Sequence, residues 1–251
     1  MEWMSGWGKL LFALEGARSV LEPVVAGFRA RRSLRVANLR AARLRDTNLC
    51  RVNLCAANLC GADLFEADLR YVDLSYAALG GADLRYADLR GVNLSSAYLG
   101  DALLSGADLR DANLRHADLR DVVLCGVDLS GAVLRDAILR GGLKDVPAIP
   151  HIHQAVYAAA RQDEAFATDS LPRRGSAHCR EGWVIALAGP AGKALEWALG
   201  SSAAAALIYM ASDRELEKIP DFHASNADAL EDMKELAERE ALHEQERQVT
   251  P

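Results

Sequence analysis

The twenty residues A-D-L-F-E A-D-L-R-Y V-D-L-S-Y A-A-L-G-G, from Ala62 to Gly81, decide the fold. Leucine stands at Leu64, Leu69, Leu74 and Leu79, and the spacing runs outward both ways. Every fifth residue from Leu34 to Leu139 is leucine, at all 22 positions. Two residues before each, from Ala37 to Ala137, stands Ala, Val or the single Thr47. The slot directly before the leucine is Asn or Asp at 14 of the 22 positions, Asn38, Asp63, Asp88 and Asp128 among them. The unit is A-(D/N)-L-x-x.

A period of five fits neither the 3.6 of a helix nor the 2 of a long strand. The small residue and the leucine lie two apart, so a short extended segment puts both on one side. The other three positions face out, and the chain turns before the next inward pair. Asn or Asp suits such a corner, because its short side chain bonds nearby backbone N–H groups. Corners of one hand wind a coil with leucine on its axis, and stacked coils pair their backbones about 4.8 Å apart. Burying each leucine contributes roughly 1.5–3 kcal/mol, enough in sum to offset the ordering of a narrow rod.

Residues 33–142 resemble the pentapeptide-repeat family. The resemblance implies a right-handed quadrilateral β-helix with four repeats per coil, hence about five and a half coils for this chain. Many members carry Phe at some central positions, whereas this chain uses only Leu. The best-known activity of the family is topoisomerase protection, in which an acidic rod imitates duplex DNA.

Composition sets the outer limits. The chain has 251 residues, 51% hydrophobic and 25% charged, with a net charge of −6. That is a globular balance, not a disordered one. The longest apolar stretch, near Ala203–Ala211, is far short of a membrane span. The first 30 residues lack the basic start and small-residue cleavage site of a signal peptide. Five cysteines without metal-type spacing fit reduced thiols in a bacterial cytoplasm. Cys50, Cys55 and Cys60 follow successive leucines, so they fall on different faces and share no metal.

With twenty residues per coil, positions twenty apart stack in columns. Eleven of the 22 residues after the leucine are Arg, including Arg70, Arg90 and Arg110, and beside them runs the column Asp68, Asp88, Asp108, Asp128. From Arg31 to Gly141 there are 15 Arg and 14 Asp plus Glu, a net of +1. Duplex DNA carries one negative charge per ~1.7 Å of axis, and a rod of mixed sign does not approach that density. The same neutralisation argues against direct nucleic-acid binding. The slot before the leucine turns apolar in the later coils, at Tyr98, Leu103, Val123, Val133 and Ile138. Such a patch marks an interface, for the helical tail or for a second protomer in a homodimer.

An open β-helix needs covers at its ends. Trp3, Trp7, Leu10, Leu11 and Leu14 form a helical stripe, so residues 1–32 read as an N-terminal helical cap, with membrane-surface contact as the alternative. Residues 33–142 are the β-helix and residues 143–251 an all-α domain. In residues 142–251, 18 acids against 11 bases give a net of −7. A helix reads from Ile152 to Arg161, two or three short helices between Glu181 and Met210, and a charged one from Asn226 to Gln248. Leu230, Met233 and Ala237 lie on the inner side of that last helix. The runs Ile149–Tyr157 and His178–Trp183 resemble a helical extension of some bacterial and phage pentapeptide-repeat proteins.

For chemistry, His151, His153, His178 and Cys179 are the only candidate metal ligands, zinc-type by residue class. Their spacing makes them diverge, and His153 and His178 read instead as buried, hydrogen-bonded supports. Gly189–Ala194 imitates a phosphate loop but lacks its first glycine (Leu187) and its hydroxyl (Ala194). The expectation is a non-enzymatic scaffold without cofactor: a rigid rod presenting an acidic helical domain to a protein partner. The alternative is a topoisomerase (DNA gyrase)-binding protein acting by DNA mimicry. More remote is a metal-dependent activity in the tail.

Overall fold

The computed structural model describes residues 34–139, 146–162 and 179–249. The expected cap, residues 1–32, lies outside the described residues. The chain divides into two compact units, Met1–Arg140 and Gly141–Pro251.

In the first unit each strand is reduced to almost nothing. Parallel bridges join each residue before a leucine to the one twenty positions on, as in Asp63↔Asp83, Asp68↔Asp88 and Asp73↔Asn93. Only β1 (Asp118–Leu119) and β2 (Ile138–Leu139) extend to two residues. Backbone bonds nevertheless run throughout. Leu54 N–H donates to Asp73 O at 2.7 Å, Ala56 N–H to Ser75 O at 2.8 Å, and Asp73 N–H to Val52 O at 3.1 Å. A register of twenty over a period of five places four repeats in each turn. Twenty of the 22 ladder leucines are buried, and the two half-buried ones, Leu34 and Leu139, are the first and last.

The corners differ from the sequence expectation. Asn and Asp do not occupy them; they sit at the bridge. The turn consists of the two residues after the leucine, closed by a bond such as Ala57 N–H to Leu54 O at 2.9 Å. Its second residue has positive φ at every repeat from Val36 to Asp136, between +53° (Ala41) and +72° (Gly106). All 14 Asn and Asp residues before a leucine accept a bond from the backbone N–H two residues on, at the entry to this turn. The side chain thus braces the corner from beside it. Gly91 also leaves room for a neighbouring side chain. A Cβ there would lie 2.6 Å from the Tyr71 ring of the preceding turn.

The second unit is helical: α1 (Ile152–Gln162), α2 (Arg180–Leu187), α3 (Gly189–Leu199), α4 (Ser201–Ser212) and α5 (Asn226–Val249). The alanine-rich α4 is buried from Ala203 to Tyr209 and forms the centre. Small side chains let its neighbours approach closely. Ala229, Met233 and Ala237 form the buried stripe of α5, while Leu230 is only half-buried. The glycine-rich Gly189–Ala194 is the first turn and a half of α3, with Pro190 at its start. Gly192 is required where α3 crosses α2, since a Cβ would meet the Ile185 carbonyl oxygen at 2.5 Å.

Two outcomes test this account by chemical denaturation. Leu84→Ala, in the fully buried column, should cost about 3–5 kcal/mol, and Leu34→Ala at the end much less. Gly91→Ala should cost about 1–3 kcal/mol, and adding Tyr71→Ala should restore part of the loss.

Candidate functional site

The outer face of the β-helix is a lattice of paired charges. Arg70 Nη2 donates to Asp68 Oδ2 at 2.7 Å, and its Nε lies 3.6 Å from Asp88 in the next turn. Arg90 repeats the pattern on Asp88 at 2.6 Å and Asp108 at 3.7 Å. Arg110 continues it to Asp108 and, at 4.0 Å, to Asp128. The column of carboxylates is therefore interleaved with guanidinium groups along its length. On other faces Arg85 forks onto Asp83 and Arg120 onto Asp118. Phe65 is flanked by Arg45 at 3.9 Å and Arg85 at 5.6 Å from its ring centre. Hydrogen bonds from Arg70, Arg85 and Arg120 hold Asp68, Asp83 and Asp118 below the usual carboxylate range. In a column without arginine the amides stack instead: Asn113 Nδ2 donates to Asn93 Oδ1, and Asn93 Nδ2 to Asp73 Oδ1.

The five apolar residues expected as a patch occupy the expected columns. Leu103 bridges Val123 directly. Tyr98 and Ile138 share a column, but Asp118 stands between them and binds Arg120. Val133 follows Asn113 on the preceding face. Tyr98, Val123 and Ile138 are exposed, and Leu103 and Val133 half-buried. An ion pair thus interrupts what the sequence suggested as one apolar surface. The three successive cysteines also differ among themselves: Cys55 is buried, Cys50 and Cys60 partly so, and all three are free thiols.

In the helical unit, the metal candidates separate. His151 Nδ1 lies 2.6 Å from Glu244 Oε1 on α5 and is exposed. His153, two residues on, is 4% exposed, and its Nε2 lies 3.0 Å from Asp213 Oδ2. Cys179 caps α2, its Sγ accepting from Gly182 N–H at 3.4 Å. His178 lies outside the described residues, and no group of His, Cys, Asp or Glu among those described could hold a metal ion. The other ring nitrogen of His153, Nδ1, is buried without a hydrogen-bond partner. The hydrogen bond from His153 keeps Asp213 below the usual carboxylate range.

A larger polar cluster went unseen in the sequence. Arg180 is buried, donates from Nε to Tyr209 Oη at 3.0 Å, and binds Asp232 through Nη1. Burial weakens the charged form of Arg180, yet Tyr209 and Asp232 together hold it firmly protonated. Burial pushes the Tyr209 phenol up. The Tyr209 ring stacks with His153 at 5.7 Å and with Phe222 at 6.3 Å. The Tyr209 ring ties α1, α2 and α4 together, and Arg180 extends the cluster to α5 through Asp232. The motif around His178–Trp183 contained Arg180, but nothing local named its partners 29 and 52 residues away.

α5 has one face turned to solvent, carrying Asp228, Glu231, Glu235 and Glu238. On the inner side Glu240 accepts from Gln154 N–H at 3.0 Å, fixing α5 to the start of α1. No described helix is long and apolar enough to cross a membrane.

A model of pentapeptide repeats matches the chain in eight copies, over residues 37–70, 62–101 and 102–141. Rfr23, a pentapeptide-repeat protein from the cyanobacterium Cyanothece 51142, is 30% identical, with 41% of this chain and 83% of that one covered and a TM-score of 0.40. A pentapeptide-repeat protein from the thylakoid lumen of Arabidopsis thaliana is also 30% identical, covering 42% and 66%, with a TM-score of 0.30. QnrB1, a plasmid-mediated fluoroquinolone resistance protein, is 22% identical, covering 41% and 60%, with a TM-score of 0.29. No curated protein matches.

The carboxylate pairs give a pH dependence of known sign. Their contribution is complete above the ordinary carboxylate range near pH 4 and drains away as pH falls through the lowered folded values. Melting followed by circular dichroism should hold steady from pH 7 to about 5 and drop below about 4. In Asp213→Asn, the helical unit should lose part of this acid sensitivity.

Proposed function

The chain belongs to the pentapeptide-repeat family, and from that premise we propose that it is a non-enzymatic scaffold whose right-handed β-helix carries an acidic helical domain to a protein partner. The observation that supports this is the contrast between the two charged surfaces. On the β-helix, each carboxylate of the Asp68–Asp128 column has a guanidinium beside it, so little net field remains for a partner to read. On α5, the outward carboxylates Asp228, Glu231, Glu235 and Glu238 outnumber the two cations beside them, Lys234, 3.2 Å from Glu231, and the exposed Arg239, so a net negative charge remains. A surface of one sign raises encounter rates and selects a basic counterpart. The partner is accordingly a protein with a basic face, and the β-helix serves as a stiff spacer. Fold alone names no partner, so the reading rests on this charge division. Imitation of DNA before a topoisomerase is the second reading, and the interleaved arginines weigh against it.

The full chain should retain a protein from native lysate, and the variant Glu231→Lys/Glu235→Lys/Glu238→Lys should lose it at unchanged helix content. Retention of a type II topoisomerase equally by both chains, with inhibition of its supercoiling activity, would replace this reading by surface imitation.

A further inference from the structure

The helix α3 is built inside out. Of its eleven residues only Gly192 is buried, against α2. Pro190, Ala191, Ala194, Trp197 and Ala198 are all exposed, and Trp197 is 93% exposed. At about 100° per residue these five side chains fall within a face about 120° wide. An apolar helix face with a bare tryptophan is the composition of an interface centre, not of a solvated surface.

We propose that this face is a two-fold interface with a second copy of the chain, formed by two α3 helices packed antiparallel across Ala194. Three properties of α3 select that occupant. The pattern is symmetric: Pro190 and Ala198, and likewise Ala191 and Trp197, are equidistant from Ala194. A dyad there sets Ala194 against its own copy, sets Ala191 near the partner's Ala198, and lays Trp197 over the partner's Pro190. An isologous contact requires this kind of self-complementary patch. The alanines permit close approach of the two backbones, and each large ring falls on the side where its partner has a short one.

The charges also agree. Lys193 and Glu196, the only charged residues of α3, bind each other at 3.0 Å, so the helix itself brings no net charge to the contact. A lipid surface is disfavoured on the same grounds, because the net −7 of residues 142–251 opposes an anionic bilayer. The area suffices for a modest dimer. Trp197 brings about 200 Å² and the whole face roughly 500 Å², or about 1,000 Å² across two copies, the lower bound for a specific contact. This proposal stands apart from the acidic face of α5 and does not depend on it.

The test is sedimentation of the full chain over a concentration series, with Trp197→Ser and Ala194→Glu beside it. Both positions are exposed, so circular dichroism should report unchanged helix content. The native mass should rise from 27.1 kDa toward twice that value, and both variants should stay at the monomer mass. A native chain that stays monomeric throughout overturns the proposal. So does a dimer that survives Ala194→Glu, which would locate the contact elsewhere, for instance around Leu103 and Val123. A blue shift of tryptophan emission on neutral phosphatidylcholine vesicles, present in the native chain, lost in Trp197→Ser and unaccompanied by a dimer, overturns it in favour of a lipid surface.

Discussion

A left-handed corner every five residues is the constraint on which the β-helix depends. Twenty-one residues, Val36 to Asp136, adopt positive φ, and fifteen of them are not glycine. Each non-glycine residue there costs roughly 1–2 kcal/mol. The chain meets that cost because the corner is what brings the next leucine to the axis. Had the corners relaxed, the leucine column and the backbone bonds between turns would part together. The Asn or Asp before 14 of the 22 leucines lowers the cost by accepting the N–H at the turn entrance, which explains why the slot favours those two residues even though it faces outward. Asp at corners such as Asp46, Asp101 and Asp111, and glycine at Gly61 and Gly81, use residues tolerant of that region.

Strict stacking then dictates the electrostatics. Whatever stands at one outward position meets its equivalent one turn away, at the ~4.8 Å spacing of paired strands. A column of aspartates at that distance repels itself unless a cation is interposed. Arg70, Arg90 and Arg110 supply it, each bonding the aspartate of its own turn and reaching toward that of the next. The fork of the guanidinium is suited to this, and a lysine would hold only one of the two. Exposed pairs of this kind contribute little individually, but a periodic rod without them would carry the repulsion of every turn.

The regular part of the fold was legible because one residue type recurs at one interval, and the register of twenty follows once four repeats make a turn. The corner position was misplaced for a physical reason. Asn and Asp signal a nearby turn, but side-chain acceptance two residues on is satisfied equally from inside the corner or from the strand before it. The sign of φ has no single residue signature either, since Tyr71, Tyr76 and Tyr86 occupy it as well as glycine. In the helical unit, periodicity located helices near Ile152–Gln162 and Asn226–Val249 because each carries a buried stripe. The cluster of Arg180, Tyr209 and Asp232 was out of reach, because it is assembled from three helices with no local pattern. His153 could be named a buried support, but its partner Asp213 lies 60 residues on, at the end of an alanine-rich helix.

These two styles of construction divide the labour of recognition. In the β-helix every residue is repeated by its neighbours one turn away, so a change that suits a partner must also suit the column it stands in. The helical unit carries no such obligation: once Tyr209, Arg180 and the buried stripes are in place, the outward sides of α3 and α5 are unconstrained by packing. It is on those sides that the chain departs furthest from an ordinary solvated surface, with acids along one and apolar residues including Trp197 along the other. Neighbouring acids along one helix face repel each other and add nothing to the stability of the domain. An exposed tryptophan on a small-residue face carries a standing risk of non-specific association, and a folded domain gains nothing from it alone. The presence of both features on the unit whose core does not need them is the physical reason to seek this protein's contacts there.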